Sequence, residues 1–88
     1  MASIKNLKKD INYTLGDIVG ECDVWAIENP NEDVSKSEAI IEEAFATFDA
    51  LLDKVNAKNI ENKKLHFKGI SKELEEKAKS LVDKLNNL

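Results

Sequence analysis

Residues 36–57, KSEAIIEEAFATFDALLDKVNA, carry the strongest amphipathic pattern in this chain. Its apolar positions return every three or four residues: Ile41, Ala44, Phe48, Leu51 and Val55, flanked by Ile40, Phe45 and Leu52. This spacing is typical of one apolar stripe along an α-helix, which completes a turn in about 3.6 residues. Ser35 and Glu38 have the spacing of a capping box at its start, and Asp33 is an alternative cap. The pattern predicts a helix over 36–57.

The same period on either side predicts two more helices, over 4–28 and 60–86. The first has the stripe Ile4, Leu7, Ile11, Leu15, Ile18, Cys22 and Trp25, with Ser3 as its cap and Pro30 after its end. The third keeps one helical phase across Gly69 through Ile60, Phe67, Ile70, Leu74, Ala78, Leu81, Leu85 and Leu88. A break near Gly69, with Ser71 as a new cap, is the alternative, because a glycine inside a helix costs about 1 kcal/mol relative to alanine.

Short connections between three long helices make neighbouring helices antiparallel. We therefore predict an all-α fold, a single domain over 1–88 with the topology of an up-down-up three-helix bundle. The apolar fraction of 42% is sufficient for a packed core. Its largest members are expected to be Trp25, Phe45, Phe48 and Phe67.

Composition argues against several function classes. All 13 basic residues are lysines and the net charge is −4, so the chain lacks the guanidinium fork that binds phosphate and guanine, and it repels a polyanion. We therefore expect no nucleic-acid partner. A single Cys excludes an internal disulfide framework and multi-cysteine metal sites.

The chain also lacks the sequence signals of a membrane or a secreted protein. No segment approaches the roughly 20 apolar residues that span a bilayer. The residues from Met1 to Lys5 contain no apolar signal core. We therefore expect a cytoplasmic protein with no membrane partner.

A second face of the first helix is the clearest surface signal. This glycine face lies opposite the core stripe and consists of Tyr13, Gly16, Gly20, Val24 and Ile27. Gly16 and Gly20 form a G-x-x-x-G pair, which lets another helix backbone approach closely in membranes. The face therefore indicates an intermolecular helix contact, with a second copy or with another protein. Alternatively, these residues are simply exposed, or the bundle buries more of this helix than one stripe.

Charge is unevenly distributed along the chain. Residues 1–9 carry three Lys and no acid, residues 10–53 carry 12 acids and one Lys, and residues 54–88 carry nine Lys and five acids. On the second helix, an acidic strip runs beside the apolar stripe and consists of Glu38, Glu42, Asp49 and Asp53. The strip is expected to be a solvated flank that faces lysines of the third helix. The functional alternatives are a docking site for a basic partner and a metal-binding row, although the Glu-x-x-His pairs of di-metal bundles are missing.

The sequence contains few residues suited to catalysis. Cys22 falls within the apolar stripe, where a thiol is usually a small inert hydrophobic group. No catalytic triad order, glycine-rich phosphate loop or nucleotide fingerprint can be assembled. We therefore predict a protein that is not an enzyme and has no cofactor, no metal and no small-molecule substrate.

His66 lies in the segment LHFKGIS, residues 65–71, which resembles the His-x-x-Lys-Gly signature of histidine phosphotransfer domains. That family is small, acidic and all-helical, and its phosphate-accepting His is exposed on a bundle helix. Here Lys68 and Gly69 follow His66 by two and three residues, one fewer than in the family, so the lysine falls on another side of the helix. The resemblance implies His66 as an alternative phosphoacceptor. The other interpretation is a histidine at the surface or at the boundary of the core.

Through segments such as DINY, residues 10–13, and KELEEK, residues 72–77, the chain resembles small uncharacterised all-helical bacterial proteins, particularly those of AT-rich genomes. This resemblance implies no activity and no site. The leading prediction is a non-enzymatic bundle that acts by protein–protein contact, as a homodimer or an adaptor. The alternatives are a phosphotransfer module that uses His66 and an acidic inhibitor that covers a basic site on a partner.

Overall fold

Three helices make up most of the chain. The computed structural model describes residues 4–88 and contains α1 (Ile4–Glu28), α2 (Ser35–Val55) and α3 (Lys63–Asn86). Residues 4–88 contain no strand, and each helix contacts the other two, which confirms the predicted all-α three-helix bundle. α3 continues through Gly69, so the alternative break does not form.

The start of α2 differs from the predicted capping box. Ser35 is already helical, and Val34 before it makes no side-chain capping bond. The Asp33 carboxylate instead accepts a hydrogen bond from the backbone N–H of Ser35 at 2.9 Å. Asp33, the alternative cap, therefore satisfies one backbone N–H at this helix end, and the Ser35–Glu38 box was the wrong prediction. The expected cap of α1, Ser3, lies outside the described residues.

The connection between α2 and α3 is longer than predicted, because α2 ends at Val55 and α3 begins at Lys63. Asn59 has a φ of 62°, a left-handed conformation that asparagine adopts more readily than most residues. The side chain of Asn62 then accepts from the backbone N–H of Leu65 at 3.1 Å and caps α3. Ile60 therefore lies in the connection, half-buried, rather than on the helix.

Contacts between the helices establish the up-down-up order. Lys54, near the end of α2, pairs with Glu73 of α3 at 2.7 Å. Glu43, in the first half of α2, pairs with Lys84 near the end of α3, so these two helices are antiparallel. Trp25 near the end of α1 shares a cleft with Lys36 at the start of α2 and with the C-terminal Leu88. α1 and α3 therefore point the same way, and the bundle measures 51 × 18 × 17 Å.

The core forms where the three apolar stripes meet. Its buried apolar residues are Leu7, Ile11, Leu15, Ile18, Cys22, Ile40, Ala44, Leu51, Val55, Ile70, Leu74 and Leu81. Two polar side chains are also buried, and both hydroxyls donate to carbonyls of their own helix segment: Ser37 to Val34 and Thr47 to Glu43. Within residues 4–88, no buried side-chain nitrogen or oxygen lacks a hydrogen-bond partner.

The prediction of an aromatic core is wrong for one residue, and the other three residues are less buried than expected. Phe45 is 57% exposed, whereas Trp25, Phe48 and Phe67 are half-buried. Phe45 follows Ala44 by one residue and therefore lies about 100° farther around α2, beyond the surface of α2 that packs against α1. No described element covers that side of α2. Ile4, expected at the start of the α1 stripe, is also 47% exposed.

Replacement of Ile11 by alanine should lower the free energy of unfolding by about 2–5 kcal/mol, because a fully buried side chain leaves a cavity at the centre of the bundle. Ile27→Ala is the matched control, since Ile27 is 77% exposed and its loss should change stability by less than about 0.5 kcal/mol. Denaturant unfolding followed by circular dichroism measures both. Equal losses in the two variants would contradict this core.

Asp33→Ala should destabilise the protein in a pH-dependent way. The backbone N–H of Ser35, followed by its hydroxyl, lowers the pKa of the Asp33 carboxyl in the folded state. The carboxylate therefore stabilises the fold at neutral pH, and this contribution is lost as the pH falls from the unfolded-state pKa through the lower folded-state pKa. We expect a Tm difference from wild type at pH 7 that disappears in acid. Glu32→Ala is the control, and a difference that persists in acid contradicts the assignment.

Candidate protein-binding surface

The structure places all five residues of the glycine face on the exposed side of α1. Tyr13 is 64% exposed, Val24 is 49% exposed and Ile27 is 77% exposed. Gly16 and Gly20 are exposed between them. The bundle therefore does not bury this face.

The two glycines of this face have no packing role within the described chain. A Cβ atom built at Gly16 or at Gly20 meets no atom within 4 Å, so neither helix α2 nor helix α3 approaches closely there. Each glycine weakens α1 relative to alanine by roughly 0.5–1 kcal/mol. If close backbone approach is the reason for these glycines, the approaching backbone lies outside the described residues.

A groove between α1 and α2 extends from the glycine face. It has a volume of about 200 Å³ and is lined from α1 by Asn12, Leu15, Gly16 and Val19, and from α2 by Ala44, Phe45 and Phe48. Gly16 belongs both to the groove and to the glycine face, so the two are continuous. Together we call them the α1–α2 surface. Phe45 is the member that the sequence analysis missed, because its spacing beside the α2 stripe assigned it to the core.

The acidic strip lies along the α2 edge of this groove. Glu42 precedes Phe45 by three residues and Asp49 follows it by four, and residues at these spacings are neighbours on a helix surface. All four acids of the strip are exposed, and none of their carboxylates has a hydrogen bond or ion pair within residues 4–88. The ion pairs that join α2 to α3 use Lys54 and Glu43 instead. The strip therefore forms no ion pair with the lysines of α3 among the described residues.

His66 connects α3 to the C-terminal end of α2. Its Nε2–H donates to the backbone carbonyl of Lys54 at 2.6 Å, since a carbonyl oxygen can only accept. The imidazole also lies against the Phe67 ring, with 5.4 Å between the ring centroids, and the side chain is half-buried. The Nε2 that carries its proton in this bond has no free lone pair for a phosphoryl group, whereas Nδ1 retains one. The half-burial of His66 and its bond to α2 fit a histidine at the boundary of the core.

The remaining chemistry-bearing groups do not converge on a site. Cys22 is fully buried, and this burial, with smaller effects of Asp23 and Glu21, raises the pKa of its thiol. Among residues 4–88, no group of three or more His, Cys, Asp or Glu side chains is arranged to hold a metal ion. None of the helices in this part of the chain has both the length and the apolar character needed to cross a membrane.

Replacing Gly16 or Gly20 by alanine should raise the free energy of unfolding by about 0.5–1 kcal/mol, because the added methyl group meets open space and the unfolded chain loses conformational freedom. Gly69→Ala on α3 is the control and should stabilise by a similar amount, since its Cβ position is equally open. Thermal and denaturant unfolding measure all three variants. A destabilised Gly16→Ala or Gly20→Ala variant would indicate a packing role within the chain.

The α1–α2 surface thus combines three features. Its parts are an unpaired glycine face, an apolar groove and an acidic edge, all on the side of the bundle away from the α2–α3 ion pairs. Comparison with protein-family models, with curated proteins and with solved structures found no match for this chain.

Proposed function

We propose that this chain is a small cytoplasmic protein-binding module without catalytic activity, and that it binds another protein through the α1–α2 surface. The observation that carries this proposal is the exposed apolar content of that surface. Phe45, Tyr13 and Ile27 are each more than half exposed, yet an exposed aromatic or branched side chain gains free energy when a partner buries it. Aromatic residues are also enriched among the residues that dominate binding energy at protein interfaces.

The arrangement of the glycines supports a protein partner more than a small molecule. Gly16 and Gly20 open a flat strip along one face of α1, and a helix of another protein gains contact along several turns of such a strip. The groove is open and apolar, and it lacks the convergent polar groups that orient a small ligand. The thiol of Cys22 is buried and His66 Nε2 is engaged, which supports a function without catalysis.

Two kinds of partner fit this proposal: a second copy of the chain, or a different protein that the module recruits. A homodimer would bury the glycine faces of two α1 helices against each other. An adaptor would leave the chain monomeric by itself and bind only its partner. Native mass from light scattering, measured at low and high protein concentration, separates the two.

Gly20→Lys is the variant that tests the proposal. It adds a long charged side chain to the centre of the glycine face, where the Cβ position is open, so it should leave the bundle folded while it blocks the face. Gly69→Lys makes the same change on α3 and is the matched control. We expect Gly20→Lys alone to abolish the dimer, or to abolish cross-linking to partner proteins in a native extract, with unchanged helicity by circular dichroism.

One set of results would contradict the proposal. If wild type, Gly20→Lys and Gly69→Lys have the same native mass and the same cross-linked products, the α1–α2 surface does not bind protein.

A further inference from the structure

The α1–α2 surface has acidic side chains on both of its edges. The acidic strip forms the edge on α2. On α1, Asp17 follows Tyr13 by four residues and precedes Gly20 by three, and Glu28 follows Val24 by four. Asp17 and Glu28 are exposed, like the acids of the strip, and have no ion pair within residues 4–88. The groove is thus bordered by unneutralised carboxylates on its α2 side, whereas those of α1 lie beside the glycine face, where Asp17 also lines a cleft with α3.

The lysines of the chain do not neutralise these edges. Residues 10–53, which include most of α1 and nearly all of α2, contain 12 acids and a single lysine, Lys36. Nine of the 13 lysines lie in residues 54–88 instead. Lys54 and Lys84 pair with Glu73 and Glu43 on the α2–α3 side of the bundle. The first turns of α1 bring lysine to the α1–α2 surface, because Lys9 precedes Tyr13 by four residues and Lys8 precedes Asn12 of the groove by four.

We propose that the occupant of the α1–α2 surface is a basic amphipathic helix of a partner protein, an inference that rests on the proposed function. An apolar stripe at i, i+3, i+4 and i+7 enters the groove beside Phe45, and lysine or arginine side chains on the flank toward α2 pair with Glu42 and Asp49. Gly16, which lines the groove, lets the backbone of this helix approach α1. The groove is lined from residues 12–19 of α1 and 44–48 of α2, so it holds about two turns of the helix.

Charge also argues against a second copy as the occupant. In a symmetric dimer each surface patch meets its own copy, so the acidic edges of one chain would face those of the other. Like charges brought together at an interface oppose association. The lysine-rich α3 does not supply the missing helix, because its apolar stripe is buried in the core of its own bundle.

Three synthetic peptides of equal length test this inference by titration against the 15N-labelled protein. The first has a leucine stripe flanked by lysines, the second has glutamates in place of the lysines, and the third has the composition of the first without the helical spacing. We expect the first alone to bind, with amide shifts at Gly16, Gly20 and Phe45. Its affinity should fall as salt increases, since exposed charge attraction is screened within about 8 Å at physiological ionic strength.

A pair of charge variants gives the second measurement. Glu42→Lys with Asp49→Lys reverses the acidic edge beside Phe45, whereas Glu75→Lys with Glu76→Lys makes the same change on the exposed side of α3. Both double variants move the net charge from −4 to zero. We expect the first to weaken binding of the lysine peptide by about tenfold or more and the second to change it by less than about threefold.

Equal binding of the lysine and glutamate peptides, shifts confined to α3, or equal losses in the two double variants would overturn the basic-helix inference. If the glutamate peptide binds at Gly16, Gly20 and Phe45, or if the chain self-associates there, the proposed function stands and the inference fails. If no peptide binds and Gly20→Lys changes neither native mass nor cross-linking, both fail.

Discussion

The structure depends on one central seam. Along it, a single apolar stripe from each helix packs against the stripes of the other two. Ile11 and Cys22 of α1, Leu51 of α2 and Leu81 of α3 are almost fully buried there. With three helices, each helix contacts the others along one stripe only, so the side of each helix opposite the seam faces solvent. The same restriction therefore determines both what is buried and what remains available for binding.

Because of this restriction, the α2–α3 side and the α1–α2 side of the bundle differ in their polar contacts. On the side where α2 meets α3, two ion pairs and the hydrogen bond from His66 to the Lys54 carbonyl join the helices. Such exposed pairs contribute little to stability, about 0–1 kcal/mol each, but they orient α3 against α2. On the side where α1 meets α2, the groove beside Phe45 has no polar link between the helices in the described residues. That side is left with an apolar groove, two glycines and acids that form no ion pair in the described residues.

Retention of such a surface costs stability in a small domain. Gly16 and Gly20 weaken α1, and the carboxylates of α1 and α2 repel one another without nearby lysines. A domain of 88 residues buries a modest core, so losses of about 1 kcal/mol are large relative to its total stability. A surface optimised for folding alone would carry alanine at both glycines and lysines among the acids.

Periodicity in the sequence was enough to predict the all-α class, the number of helices, the continuity of α3 and most of the buried stripe, because burial on a helix follows a period of about 3.6 residues. It also predicted the exposed glycine face. Helix ends were less predictable, since the bonds of Asp33 and Asn62 select among several nearby candidates. The exposure of Phe45 and the orientation of the acidic strip depended on the tertiary arrangement, because sequence spacing places residues around their own helix but does not say on which side its neighbours pack.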